Sequence, residues 1–294
     1  MYKEFFGLAA NPFNVTPDPR YLFLTKHAEE ALACLTYGVN SRKGFVLLTG
    51  EVGTGKTTLV NKMLERLRQQ QMATAYIFNP LLTVPEFLDY MMADFGAPCE
   101  SSSKSEILRH LNSWLLARYS AGETVVLIVD EAQNLSDELL EEIRLLTNLE
   151  TFTEKLLQVV LVGQPELERK LKQPSFRQLQ QRLSMRAKTY PLCLEETEAY
   201  VAERLRIAGS REAVFDPHAL VAVHKSSRGI PRLVNLLCEH CLVNAFADRR
   251  RIIPCEIVQA VARDFDLEGL GPSNGATALM EPALHLDKFD MLGS

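Results

Sequence analysis

The chain of 294 residues sets 32 basic against 37 acidic side chains, a net charge of -5, with 47% hydrophobic and 23% charged residues. That balance describes a globular chain long enough for one large and one small domain, and it excludes a global basic field for nucleic acid or anionic lipid. Six scattered cysteines, and a start at Met1-Tyr2-Lys3-Glu4 that leads into no signal-peptide core, point to a reducing cytosol; the densest apolar run, Val125 to Val129, is far too short to span a membrane.

Residues 1–25 set Phe5, Phe6, Phe13, Tyr21 and Phe23 among Pro12, Pro17 and Pro19. This predicts an extended aromatic arm rather than a helix, lying on the core or, through Tyr21-Leu22-Phe23, forming part of a purine pocket. Ala28, Ala31, Leu32, Leu35 and Val39 then fit one helical face from His27 to Val39. The apolar run Phe45-Val46-Leu47-Leu48 leads into Gly50-Glu51-Val52-Gly53-Thr54-Gly55-Lys56-Thr57, which fits G-x-x-x-x-G-K-[ST], and Leu59, Met63, Leu64 and Leu67 recur at helical spacing behind it. Phosphates crowd several negative charges into a small volume, so a site for them needs close backbone approach, amide donors and a cation. Gly50, Gly53 and Gly55 point N–H groups inward, the following helix offers its positive end, Lys56 reaches the β- and γ-phosphates, and Thr57 gives a hydroxyl to Mg²⁺. A glycine-rich turn matches the four fixed positions by accident in roughly one chain of this length in a hundred. The reading is therefore a nucleotide-binding loop that runs on into Thr58.

Thr74 to Phe78 reads as a short strand, Val84 to Phe95 and Ile107 to Tyr119 as amphipathic helices, and residues 100–104 as a polar loop. Val125-Val126-Leu127-Ile128-Val129 ends in Asp130-Glu131. An unbroken apolar strand is buried on both faces, as in a parallel sheet, and such strands present ligands at their carboxyl ends. Asp130 is accordingly expected beside Thr57 and the Mg²⁺, and Glu131 is placed to orient and deprotonate the attacking water. An Asp-Glu pair alone reads as a solvated strand end; its place downstream of a phosphate loop favours the chemistry. Ser136, Asp137 and Glu138 start a helix with Leu139, Ile143 and Leu146 on one face, up to Leu149. A further buried strand, Leu157 to Val162, ends in Gly163-Gln164-Pro165. Gln164 there either ends the strand in a turn or holds the water or γ-phosphate opposite Glu131.

Arg169, Lys170, Lys172, Arg177, Arg182, Arg186 and Lys188 make residues 166–188 locally basic, either a solvated face or the source of an arginine for a neighbouring subunit's site. A short final strand, Lys188-Thr189-Tyr190, is expected next. From Leu192 helices replace strands: Glu195 to Ala208, a helix capped by Asp216-Pro217, Arg232 to Ala247 and Pro254 to Phe265 form a small all-helical domain. Cys238-Glu239-His240-Cys241 has no second pair at metal-ligand spacing and reads as ordinary helix residues. From Leu267 onward the composition predicts a flexible tail.

Tyr2-x-x-Phe5-Phe6-Gly7-Leu8, Asn11-Pro12-Phe13, Thr16-Pro17-Asp18-Pro19-Arg20-Tyr21-Leu22, Asp130-Glu131-Ala132-Gln133-Asn134-Leu135 and Gly229-Ile230-Pro231-Arg232 together resemble the AAA+ ATPase domain of the general secretion pathway protein A, or ExeA-type, family. The likeness runs over roughly residues 1–265, and the TniB/TnsC-type transposition ATPases are more distantly similar. It implies an α/β fold, a P-loop AAA+ three-layer αβα sandwich with a parallel sheet in the order 5-1-4-3-2 and a small all-helical lid. It also implies ATP, Mg²⁺ and self-association in a ring or helical filament. By the same resemblance Gln164 takes the sensor-one position, Arg232 the sensor-two position, and Arg182 in Gln181-Arg182-Leu183 the arginine-finger position, with Arg186 the alternative. The chain then divides into an arm (1–25), an ATPase core (26–191), a lid (192–266) and a tail (267–294). ExeA-type proteins continue into a membrane span and a peptidoglycan-binding region, and these residues hold neither. The expectation is a cytoplasmic ATPase with no span of its own that assembles or remodels a partner complex of a secretion or envelope system. A transposition-type regulator that assembles on duplex DNA and a slow ATP-binding switch are the alternatives, the intact Asp130-Glu131 pair arguing against the switch.

Overall fold

The computed structural model describes residues 1–14, 19–78, 81–99 and 103–267. The Thr16-Pro17-Asp18 part of the arm motif, loop residues 100–102 and the tail beyond Leu267 lie outside the described residues.

Strands β1 (Phe45–Thr49), β2 (Ala73–Ile77), β3 (Val125–Val129), β4 (Leu157–Gly163) and β5 (Leu183–Lys188) pair in parallel throughout, in the order β2-β3-β4-β1-β5, which is the expected 5-1-4-3-2. The three central strands are buried at every residue, as their unbroken apolar runs require. The helices are α1 (Tyr2–Phe5), α2 (Lys26–Asn40), α3 (Lys56–Gln69), α4 (Val84–Asp94), α5 (Lys104–Ser120), α6 (Asp137–Leu146), α7 (Pro165–Leu171), α8 (Arg177–Arg182), α9 (Leu194–Ile207), α10 (Pro217–Ser227), α11 (Pro231–Ala247) and α12 (Cys255–Asp264). Val46, Leu48, Val126, Ile128, Val160 and Val162 face α2 and α3 on one side of the sheet. Phe45, Leu47, Leu127, Val159 and Leu161, the alternate residues of the same strands, face α4, α5 and α6 on the other. Helix starts are fixed by side chains: Ser136 Oγ accepts the Leu139 N–H at 3.1 Å and Asp216 Oδ1 the Ala219 N–H at 2.6 Å, caps that contribute about 1 kcal/mol each. Among the described residues no helix is long and apolar enough to cross a membrane.

Two sequence expectations are corrected here. The last strand is Leu183–Lys188 rather than Lys188-Thr189-Tyr190, and Arg186 lies on it. Its residues alternate as in an edge strand with one solvated side: Ser184, Arg186 and Lys188 are exposed, while Leu183, Met185 and Ala187 face inward. Thr189 N–H still bonds Thr49 O at 2.9 Å, after which Leu192 N–H turns to Gly229 O at 2.8 Å and the chain leaves the sheet.

The arm is the second correction. It is not wholly extended but includes the short helix α1 and a 3₁₀ turn at Pro19–Tyr21, and the core on which it packs is that of the helical region. Phe6, Leu8, Phe13 and Tyr21 are buried with Val201, Leu205, Val234 and Leu237. Arg204 of α9 is buried and spans the contact, donating to Pro12 O at 2.5 Å, Asn14 O at 3.4 Å and Tyr200 Oη at 2.7 Å. Tyr2 Oη and Asn11 Nδ2 both donate to Glu239 Oε1, at 2.8 and 3.0 Å. Cys238 and Cys241 flank that glutamate inside the helical core, where burial pushes the Cys241 thiol up to about 12.

Candidate nucleotide site

A cavity of about 460 Å³ opens where the arm, the carboxyl ends of the strands and the start of α11 meet; Tyr21 to Thr25, Val52 to Leu59, Glu131, Tyr200 and Arg232 are among its walls. The loop between β1 and α3 turns through Gly53 and Gly55, whose φ angles of 80° and 93° belong to the left-handed region that glycine enters freely. Gly53 also lets the helical region touch the loop. A Cβ there would stand 2.8 Å from Arg232 Cβ, and the Arg232 N–H donates to Gly53 O at 3.3 Å. Gly50 departs from the sequence reading. Its N–H does not face the cavity but bonds Gly163 O at 3.3 Å, and its missing side chain makes room for Thr189, whose Oγ1 would lie 2.0 Å from a Cβ. Thr54 Oγ1 is tied to Thr189 Oγ1 at 2.7 Å and to Glu51 O at 2.8 Å, so it fastens the loop rather than facing it.

Lys56, the first residue of α3, is buried. Its Nζ donates to Gly50 O at 2.8 Å and Glu51 O at 3.0 Å. Burial pulls the ammonium below the usual lysine range, and the nearby carboxylates of Glu131 and Asp130 pull it back up. A desolvated cation held by two neutral carbonyls gains strongly from an anion within reach.

Thr57 Oγ1 lies 3.3 Å from Asp130 Oδ2, so the loop and the end of β3 do meet. Tyr76 Oη of β2 donates to the same oxygen at 2.8 Å, and Asp130 Oδ1 accepts the Glu131 N–H at 2.8 Å. Burial, and then the charge of Asp130, raise the Tyr76 hydroxyl's pKa. A hydroxyl and a carboxylate beside a phosphate loop are hard oxygen donors, a set that fits Mg²⁺.

Glu131 sits at φ 51° and ψ 34°, a left-handed backbone that a side-chain-bearing residue rarely adopts and that turns its carboxylate into the cavity's wall. Glu131 Oε2 accepts from Gln133 Nε2 at 2.5 Å and from Gln164 Nε2 at 3.3 Å, while Gln133 Oε1 accepts the Gln164 N–H at 3.1 Å. Gln133 and Tyr76 contribute to the site although sequence reasoning did not single them out. Neither an amide in a loop nor a phenol in a strand signals such a role, and Gln133 entered only inside a longer motif.

The structure thus gathers the loop from Gly50 through Thr58, Asp130, Glu131, Gln164 and Arg232. It leaves Arg182 and Arg186 apart. Arg182 Nη1 donates to Arg144 O at 3.3 Å and Thr147 Oγ1 at 3.0 Å, and Arg186 is exposed on the edge strand; neither lines the cavity.

A family model described as the AAA domain matches residues 39–171. General secretion pathway protein A of Aeromonas hydrophila is 48% identical over 248 residues, which make up 84% of this chain and 45% of that protein. The chain therefore spans less than half the length of this relative. Among solved structures, Cdc6p of Pyrobaculum aerophilum superposes with a TM-score of 0.67 at 18% identity, covering 88% of this chain and 74% of that one. The ORC2 protein of Aeropyrum pernix, in ADPNP-ADP complexes, gives 0.63 at 18% identity over 89% and 74% of the two chains. Drosophila ORC bound to DNA gives 0.64 at 19% identity over 87% and 64%. At these identities the structural likeness speaks for the fold alone.

Proposed function

The chain belongs to the general secretion pathway protein A family of AAA+ ATPases, and from that premise we propose that it hydrolyses ATP to assemble or remodel a partner complex of a secretion or cell-envelope system. The observation that carries the chemistry is the Glu131 carboxylate, set by a left-handed backbone and two side-chain amides one residue beyond an aspartate that meets Thr57.

In this reading Lys56 leaves the carbonyls of Gly50 and Glu51 for the phosphate oxygens of ATP, and the N–H groups at the start of α3 face the same anion. Mg²⁺, held by Thr57 and Asp130, supplies further charge neutralisation when bound. Glu131 takes the proton of the water that attacks the γ-phosphorus in line, giving ADP and phosphate, while Gln133 and Gln164 hold its carboxylate in place. Arg232 opens a helix of the same chain that already touches Gly53, which supports a role in cis. Arg182 stands away from its own cavity, which supports a role in the site of a neighbouring subunit, in a ring or a helical filament. The helical region of residues 192–266 serves as the lid, and the protein works on the cytoplasmic side.

Glu131→Gln tests this reading. The variant should bind ATP and hold the assembled state, with turnover lowered on the order of a hundredfold or more. Near-normal hydrolysis would move the base elsewhere.

A further inference from the structure

The two oxygens of Asp130 are claimed from three directions. Thr57 of α3 and Tyr76 of β2 both meet Oδ2, at 3.3 and 2.8 Å, and the chain's own next N–H meets Oδ1 at 2.8 Å. Tyr76 is held firmly enough to set the third direction. It pairs in register with Ile128 of β3, its N–H donates to Asp94 Oδ2 at 2.6 Å, and its ring packs against the apolar face shared by Val126, Ile128 and α3. The phenol is half-buried, where a hydrogen bond to a charged acceptor is short and strong and competes little with water.

We propose that Tyr76 is a positioning residue for the divalent cation: its hydroxyl fixes the plane of the Asp130 carboxylate, so that Asp130 and Thr57 present their oxygens to one ion. The proposal rests on the ATP-Mg²⁺ reading of the site. Without the hydroxyl, Oδ2 keeps only the longer Thr57 contact, and the carboxylate gains freedom about its Cβ–Cγ bond that cation binding must remove. The loss falls on the cation-dependent part of nucleotide affinity. The part supplied by Lys56 and the loop amides involves no contact with Tyr76 and stays as it is.

The test uses Tyr76→Phe, which keeps the ring and removes one oxygen. A fluorescent ATP analogue is bound in EDTA and then titrated with Mg²⁺ and, separately, Mn²⁺. Affinity in EDTA should match the wild type, while the Mg²⁺ and Mn²⁺ concentrations for half-maximal enhancement rise about tenfold, the effect of losing one hydrogen bond to a charged group. In an Asp130→Asn background the same substitution should add nothing. An unchanged cation requirement, an equal loss in EDTA, or a full effect in the Asp130→Asn background would overturn the role of Tyr76. A wild-type protein that fails to bind the analogue at all would instead overturn the ATP reading itself, so the two failures are distinguishable.

Discussion

Gln133 grips Glu131 with one end of its amide, Nε2 to Oε2 at 2.5 Å, and reaches the N–H of Gln164 with the other at 3.1 Å. One amide thereby links the second residue after β3 to the first residue after β4, and the proposed base takes its direction from a side chain two positions along. Gln133→Leu keeps the bulk and removes both bonds. Turnover should fall about tenfold to a hundredfold, since small displacements of a catalytic group cost that much, while ATP affinity is retained. Unaltered turnover in a nucleotide-binding variant would assign Gln133 a structural role only.

Lys56→Met separates the cost of the buried ammonium from its use. The folded value lies below the unfolded one, so the unfolded chain binds more protons between the two and stability rises with pH through that window. Burial penalises the ammonium, and the two carbonyls that hold it carry no charge to offset that penalty. The nucleotide-free variant should therefore melt higher than the wild type at pH 7. ATP with Mg²⁺, which stabilises a binding protein by about 2.7 kcal/mol at a hundred times Kd, should no longer shift its melting. A lower melting temperature without nucleotide, or a retained shift with it, contradicts the reading.

Arg182 and Arg232 should part company in mixtures. Arg182→Ala is expected to bind ATP normally but lose a large share of turnover, up to the roughly 10³ to 10⁵ that an arginine finger contributes. Adding Lys56→Ala subunits, which keep Arg182, should restore part of it. Arg232→Ala should bind nucleotide more weakly and gain nothing from such mixing. If Arg182→Ala turns over like wild type, or if dilution leaves the rate per subunit constant, the trans assignment fails.

Gly229→Ala addresses the crossing from sheet to helices. Gly229 has a φ of 70°, and a Cβ on it would stand 1.9 Å from Leu192 O. Backbone strain alone costs about 1–3 kcal/mol, and the collision adds to it. Denaturant titration should show that loss, together with weaker ATP binding because Pro231 and Arg232 follow directly in α11. An alanine variant as stable as the wild type would mean that the crossing is held elsewhere.

How far the sequence foretold this molecule varied with how locally each feature is determined. Phe45 to Leu48, Val125 to Val129 and Leu157 to Val162 announce buried parallel strands because a run of side chains apolar on both faces has few other homes. The loop from Gly50 to Thr57 is legible because phosphate binding fixes residue types at fixed spacing. Strand β5 is not, since Arg186 and Lys188 obey the solvent on one face of an edge and mask the inward Met185 and Ala187. Three prolines among the first 25 residues hid the turn of α1, and nothing near them in the chain tells that Phe13 sets its ring edge-on to Phe215 in the core of the helical region. Gly50 looked like a phosphate-binding glycine, but its neighbour Thr189 is a tertiary fact. The same holds for Tyr76 on Asp130 and Gln133 on Glu131.

The arm's attachment carries a consequence for the order of synthesis. Pro12 and Arg204, which bonds its carbonyl, are 192 residues apart, with the whole five-stranded sheet between them. At ribosomal speeds of about 5–20 residues per second, Phe6, Leu8 and Phe13 wait roughly 10–40 s for the helices that will cover them. The sheet and its own helices are all translated by then and can close without the arm. The candidate nucleotide cavity, walled by arm, sheet and α11 together, cannot close before α11 has been made, so a nascent chain acquires this site only after its whole sheet has been translated.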